Sequence, residues 1–214
     1  KIRDNNLIVN NSFSSWPRKY MSLHMLECKV NKKINIGVFE TIIYSENHAP
    51  GVSSFDINYL NPVIFLRPVE YSLGSPDNVI IGLDLKYKVL DNQYFYSQIV
   101  FDEFTFKEIQ KNDGYWANKY AFQIGYKIFQ SKKGNLFTYN IEYNYVRPYM
   151  YSHWTSSSYG HYAQPLAHPL GANFDEIILS LNLTKKRLKI LFNYNYSRVG
   201  LDDIKNDSIS YGND

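Results

Sequence analysis

From Val79 to Val89 the chain reads VIIGLDLKYKV, which sets Val79, Ile81, Leu83, Leu85, Tyr87 and Val89 on one side of an extended segment and Gly82, Asp84, Lys86 and Lys88 on the other. A period of two is the signature of a strand, because successive side chains leave it on opposite faces. Eleven residues at about 3.3 Å each reach roughly 36 Å. Ordinary strands run to about 5–6 residues, whereas a tilted strand needs about 9–11 to cross a bilayer.

The same two-sidedness recurs along the chain. Residues Tyr20–Val30 and Ile34–Ile43 form a predicted hairpin across Asn31, Lys32 and Lys33; Met21, Leu23, His24 and Met25 blur its first strand, and Ile34, Ile36 and Val38 sharpen its second. Tyr44–Leu60 reads as a loop. Pro62–Tyr71, broken by Pro68, reads as a short strand or a segment tucked against the sheet. After a turn at Gly74–Asn78 and the strand Val79–Val89, Asp91 and Asn92 turn the chain into a strand over Gln93–Phe104. Phe106–Trp116 is a polar excursion with room for one helical turn. Strands follow over Ala117–Phe129, Leu136–Val146, Phe174–Leu183 and Leu188–Ser197, with SKKGN and Thr184–Arg187 as turns. In Leu136–Val146, Tyr139, Ile141, Tyr143 and Tyr145 stand opposite Thr138, Asn140, Glu142 and Asn144, a face suited to a wet or hydrogen-bonded interior. Eight or nine strands connected as neighbours are expected, and no helix-period segment is long enough to cover a sheet.

Composition narrows the setting. Aromatic residues make up 17% of the chain, with 20 Tyr and 13 Phe. These residues favour strands, and tyrosine suits a boundary between hydrocarbon and water. No run of 18 apolar residues exists, so a transmembrane helix is not expected, while half-apolar barrel strands remain allowed. A net charge of +3 from 23 basic and 20 acidic residues gives no reason to expect a nucleic-acid partner. Cys28 is the single cysteine, so no internal disulfide forms. The first residues, KIRDNNLIVNN, lack the basic-then-apolar pattern of a leader, and an outer-membrane reading implies further chain ahead of Lys1.

Alternation alone fits two all-β architectures. One is an antiparallel transmembrane β-barrel, with residues 1–214 forming part of a single larger barrel. The alternative is a soluble β-sandwich, whose strands also show one face to a core and one to water. Strand length, Tyr and Phe near strand ends, and short Asn/Lys/Asp turns at one end with longer loops at the other favour the barrel.

The longest irregular stretch, residues 147–173, is the candidate ligand site. Structureless loops beyond about 15 residues are uncommon and often functional. Here Tyr149, Tyr151, Trp154, Tyr159 and Tyr162 share the segment with Arg147, Gln164 and Asn173, and with His153, His161 and His168. Aromatic faces cover the C–H patches of a sugar while amide and guanidinium groups bond its hydroxyls. The competing reading is a loop packed on itself that plugs or caps a barrel, with the histidines making loop-stabilising hydrogen bonds. The histidine spacing, with Glu176 beyond, matches no compact metal motif, so neither a metal nor a cofactor is expected. Arg67, Glu70, Asp102, Glu103 and Glu108 offer no acid–base pair fixed by local spacing, and no Walker, GxGxxG, HExxH, CxxC or GxSxG motif occurs. No enzymatic activity is expected. Gly82 and Gly125 are read as relieving crowding within the sheet. The pattern Asn182-Leu183-Thr184 is a formal glycosylation acceptor that carries little weight without a eukaryotic secretory setting.

Four runs resemble a known group: LNPVIFLRPVEYSLGSPDN (Leu60 to Asn78), FDEFTFKE (Phe101 to Glu108), GYWANKYAFQIGYK (Gly114 to Lys127) and RPYMYSHWTSSSYGHYAQPLAHPLGANFDE (Arg147 to Glu176). They are similar to the capsule-assembly Wzi-like family of Bacteroidota, including the gliding-motility-associated RemB-type proteins, and the chain resembles the C-terminal portion of a member. The resemblance implies a non-enzymatic barrel in the bacterial outer membrane, in contact with membrane lipid. Its implied role is assembling or attaching surface polysaccharide (capsule), or serving gliding and cell-surface machinery. The alternative partner is an outer-membrane protein complex in which the chain is a structural subunit without glycan binding.

Overall fold

The computed structural model describes residues 19–45, 57–61, 77–102, 118–153, 158–161 and 164–201. Eight long strands form one antiparallel sheet: β1 (Lys19–Lys29), β2 (Ile34–Ser45), β3 (Asn78–Leu90), β4 (Gln93–Phe101), β5 (Tyr120–Lys132), β6 (Asn135–Val146), β9 (Phe174–Lys185) and β10 (Leu188–Val199). A two-residue ladder, β7 (Gly160–His161) with β8 (Gln164–Pro165), sits inside the loop between β6 and β9. Each strand pairs with its neighbour in sequence, β6 passing over the small ladder to β9. The sheet is open among the described residues, with β1 and β10 as its edges.

Strand ends are shifted from the sequence pattern, β4 ending at Phe101 and β5 beginning at Tyr120 rather than near 117. β5 continues to Lys132 and β9 to Lys185, because the tight tips take only the residues that must turn. Lys133 and Gly134 have φ of 50° and 75°, the paired left-handed conformation of a two-residue hairpin whose twist matches its strands. At the first tip, Asn31 Oδ1 accepts from the backbone N–H groups of Lys33 (2.7 Å) and Ile34 (2.9 Å). Within the expected loop 44–60, β2 extends to Ser45 and a 3-10 turn forms at Ile57–Leu60. The buried Tyr59 ring of that turn packs on Tyr44, centroids 4.7 Å apart, beside Ile42 and Val79. The expected segments 62–71 and 106–116, the end of the expected strand at 103–104 and the tail beyond Leu201 lie outside the described residues.

Register makes the two faces continuous. One cross-sheet row runs Leu85, Ser97, Ile124, Tyr143, Ile177, Tyr196, and the next Tyr87, Phe95, Tyr126, Ile141, Leu179, Tyr194. Leu83, Ile124, Ile141, Leu181 and Ile190 on this face are each more than 40% exposed. A contiguous apolar surface of this kind is rare on soluble monomers. A sandwich would lay a second sheet on it, and the described residues hold none. On β1 the pattern inverts: Met21, Leu23 and Met25 share the opposite, polar-lined face, while Ser22 and His24 stand on the apolar side. This inversion is the physical form of the blurred alternation in that segment.

The short tips β1–β2, β3–β4, β5–β6 and β9–β10 all lie at one end, and the strand ends joined through residues 46–77, 102–119 and 147–173 lie at the other. The asymmetry expected from the sequence is therefore present. Among the described residues no helix is long and apolar enough to cross a membrane, which says nothing of crossing by strands.

Candidate functional site

On the second face, register stacks rows of different character. Of the rows that cross from β2 to β9, the one nearest the long loops is apolar: Phe39, Gly82, Val100, Ala121, Val146 and Phe174. The next is polar: Gly37, Asp84, Gln98, Gln123, Asn144 and Glu176. Loop 147–173 folds back over the apolar row, burying Met150 (0% exposed) and Ala172 (1%) against Ile80, Val100, Ala121, Val146 and Phe174. Burying an aliphatic or aromatic side chain contributes roughly 1.5–3 kcal/mol, so a few such contacts suffice to hold the loop inward.

Polar groups fix its path. Asn173 N–H donates to Arg147 O (3.3 Å), closing the base of the loop where Arg147 N–H donates to Tyr120 O (3.2 Å). Tyr149 and Tyr151 have φ of 63° and 72°, a conformation that costs a non-glycine residue roughly 1–3 kcal/mol and persists only where the surroundings enforce it. Enforcement comes from the buried Asp102, whose Oδ2 accepts from Tyr151 N–H at 3.1 Å, and from Lys119, whose Nζ donates to Ser152 O at 2.9 Å. Tyr159 N–H then donates to Tyr151 O at 2.8 Å, bringing the two rings within 5.8 Å.

His168 joins loop to sheet. Its Nδ1 accepts from Leu170 N–H (3.2 Å), which places the ring proton on Nε2, 3.2 Å from Glu176 Oε2. The imidazole stacks on Phe174 with centroids 4.5 Å apart. A chain of bonds leads from there across the polar face: Asn144 Nδ2 donates to Glu176 Oε2 (3.4 Å) and Glu142 Oε1 (3.0 Å), and the Tyr96 hydroxyl to Glu142 Oε2 (2.6 Å). Tyr96 lies over Gly125, and Phe39 over Gly82, where an added Cβ would collide with either ring. Both glycines thus make room for an aromatic neighbour, as their place in the sequence suggested.

Between loop and sheet remains a cavity of about 240 Å³. Its floor carries Gln98, Gln123 and Asn144 from three adjacent strands, and its walls include Phe39, Phe174, Tyr151, Tyr159 and His168. Burial pushes the Tyr151 phenol well above the ordinary tyrosine range. Tyr159 is also raised by burial, opposed by a hydrogen bond with Thr41. Both therefore meet the cavity as neutral rings with a polar tip. Amides spaced about 4.8 Å apart, as on adjacent strands, with rings beside them can bond hydroxyls and cover C–H faces together.

The structure brings together three of the site residues expected from the sequence, Tyr151, Tyr159 and His168, as cavity walls. The others stand elsewhere. The Arg147 guanidinium lies 5.4 Å from the centre of the Tyr120 ring. Tyr149 serves the turn at the loop base, where its carbonyl accepts from Ser152 N–H and Oγ. His153 binds Ser158 Oγ through its backbone N–H and carbonyl, and His161 and Gln164 are exposed partners in the β7–β8 ladder. Asn173 adopts φ of 57° at the loop exit, its carbonyl accepting from Gly200 N–H. Trp154 and Tyr162 lie outside the described residues, as do Glu103, Glu108, Arg67 and Glu70. Gln98, Gln123 and Asn144 were not singled out, although their positions on the wet side of well-patterned strands marked them as inward. Among the described residues no three His, Cys, Asp or Glu side chains gather as a metal cluster.

Neither a protein-family model nor a curated protein sequence matches the chain. Its fold is similar to that of Wzi. That protein is an outer-membrane protein involved in group 1 capsule assembly in Escherichia coli and a carbohydrate-binding β-barrel. The match has a TM-score of 0.60 at 16% identity and covers 94% of this chain and 42% of Wzi. The chain thus spans less than half the length of Wzi, and at this identity the likeness is one of fold. It agrees with the all-β antiparallel reading of the sequence.

Proposed function

We propose that this chain is part of an outer-membrane β-barrel that binds surface polysaccharide, in capsule assembly or attachment, without performing chemistry on it. The observation that carries the reading is the cavity beneath loop 147–173, where Gln98, Gln123 and Asn144 face the rings of Tyr151 and Tyr159. The uncovered apolar face supports the membrane setting, and closure through further strands would spare β1 and β10 unpaired edges in hydrocarbon, which cost several kcal/mol per group. Resemblance of the sequence runs to Wzi-like proteins and the fold likeness to Wzi support the capsule role. The narrower placement among gliding-associated RemB-type proteins of Bacteroidota rests on the sequence runs alone. Binding rather than turnover fits the two carboxylates beside Asn144, since Glu142 and Glu176 are held by Tyr96, Asn144 and His168.

The test uses the full-length protein and the surface polysaccharide of its own host. Gln123→Ala and Asn144→Ala are expected to weaken binding up to about tenfold each, the effect of losing a hydrogen bond worth 0.5–1.5 kcal/mol. Affinity unchanged in both variants, with heat-modifiable migration intact, rejects the site. A second reading, a structural subunit of an outer-membrane complex, is favoured by how fully Met150 and Ala172 seal the loop onto the sheet. Wild-type protein that ignores the glycan yet copurifies with a stoichiometric partner in mild detergent would establish it.

A further inference from the structure

Cations gather at the short-tip end of the sheet. Three of the four short tips carry adjacent cations: Lys32–Lys33, Lys132–Lys133 and Lys185–Lys186–Arg187. All are exposed, and none is ion-paired among the described residues. The acids near this end are already matched, Glu27 with Lys86 (3.3 Å) and Asp91 with Lys88 (2.8 Å). Among the described residues at the loop end, Arg198 pairs with Asp175 at 2.8 Å, the Arg147 guanidinium lies by the Tyr120 ring, and Lys119 and Asp102 are buried under the loop.

The basic tips adjoin the uncovered apolar face. Leu188, opposite Lys185 in register, is 56% exposed, and Ile190 follows at 49%. Apolar surface ending in a rim of long cationic side chains is the arrangement in which lysine stems lie along hydrocarbon and ammonium groups reach the phosphates above it. We propose that the short-tip rim is a docking surface for the phosphate headgroups of anionic phospholipids in the leaflet at that end of the sheet. The inference rests on the membrane-spanning reading and assigns that reading a lipid class. Tip geometry supports it, since the Asn31 bonds and the hairpin turn at Lys133–Gly134 present the cations from ordered backbone.

The experiment takes the full-length protein in an uncharged detergent with phosphatidylglycerol or phosphatidylcholine of identical acyl chains, and reads retained lipid by native mass spectrometry. Wild type is expected to retain phosphatidylglycerol several-fold over phosphatidylcholine. Replacing the cations of both tips by Gln together (K132Q/K133Q/K185Q/K186Q) brings the ratio of the two lipids close to one, and a ratio unchanged from wild type overturns the inference. Salt at 0.5 M should narrow the preference in wild type. Equal retention of both lipids by wild type overturns this inference alone. A protein that retains neither lipid and stays dispersed without detergent overturns it together with the membrane reading.

Discussion

His168 Nε2 lies 3.2 Å from Glu176 Oε2, joining the far end of loop 147–173 to the third residue of β9 beneath it. Glu176 is nearly buried, its side chain 8% exposed, so this donor and the more distant Asn144 amide are what keep its carboxylate satisfied. Removing one partner of a buried polar pair costs roughly 1–3 kcal/mol. His168→Ala is therefore expected to raise hydrogen exchange across 168–173 by about tenfold or more, because Leu170 N–H also loses its acceptor. Exchange in the middle of β6 should not change. Equal protection in variant and wild type would remove His168 from the latch.

Asp102 holds Tyr151 in its left-handed conformation through the 3.1 Å bond to its amide. With Asp102→Ala, the Tyr151 amide is expected to lose protection first, and the polysaccharide affinity to fall with it, since Tyr151 and Tyr159 wall the cavity. Segment-resolved exchange alongside a binding measurement checks both effects.

Gly125 and Tyr96 form a packed pair. An added methyl group at Gly125 displaces the ring and breaks its 2.6 Å bond to Glu142. Gly125→Ala should destabilise the sheet by about 1–3 kcal/mol in a urea titration. Tyr96→Ala in the same chain should recover part of that loss, because the two positions are coupled through one contact.

Alkaline pH should loosen the loop. Burial holds the phenols of Tyr151 and Tyr159 above the ordinary value of about 10, so the unfolded loop gives up these protons before the folded one does. Their contribution to stability is whole below about pH 10 and is lost as pH rises through the folded-state values. Tyrosinate absorbance should lose a component that titrates above the ordinary range in Tyr151→Phe, and protease resistance of the loop in that variant should fall less steeply with pH.

Much of the sheet was legible in the residues themselves. Alternation in Val79–Val89 and Leu136–Val146 named the wet and dry faces, and the Asn and Lys tips named one end. Register was not legible, because Gln98, Gln123 and Asn144 become one row only through pairings between segments tens of residues apart. The loop was legible only as two competing readings, a ligand site and a segment packed on itself to cap a barrel, because Met150 and Ala172, which carry it onto the apolar row, are unremarkable in sequence. His153 and His161 drew attention through residue type, and their backbone groups take part in holding the loop.

The membrane setting is tested most directly by nitroxide labels at Leu179, Ser180, Leu181 and Asn182 on β9, with Cys28 changed to Ser, in full-length protein reconstituted into vesicles. Leu179 and Leu181 belong to the apolar face, and Ser180 and Asn182 to the polar one. Labels at 179 and 181 are expected to be relaxed by oxygen dissolved in the lipid, and those at 180 and 182 by a water-soluble nickel complex. Labels at 179 and 181 shielded from both relaxants, as in the core of a sandwich, would contradict it.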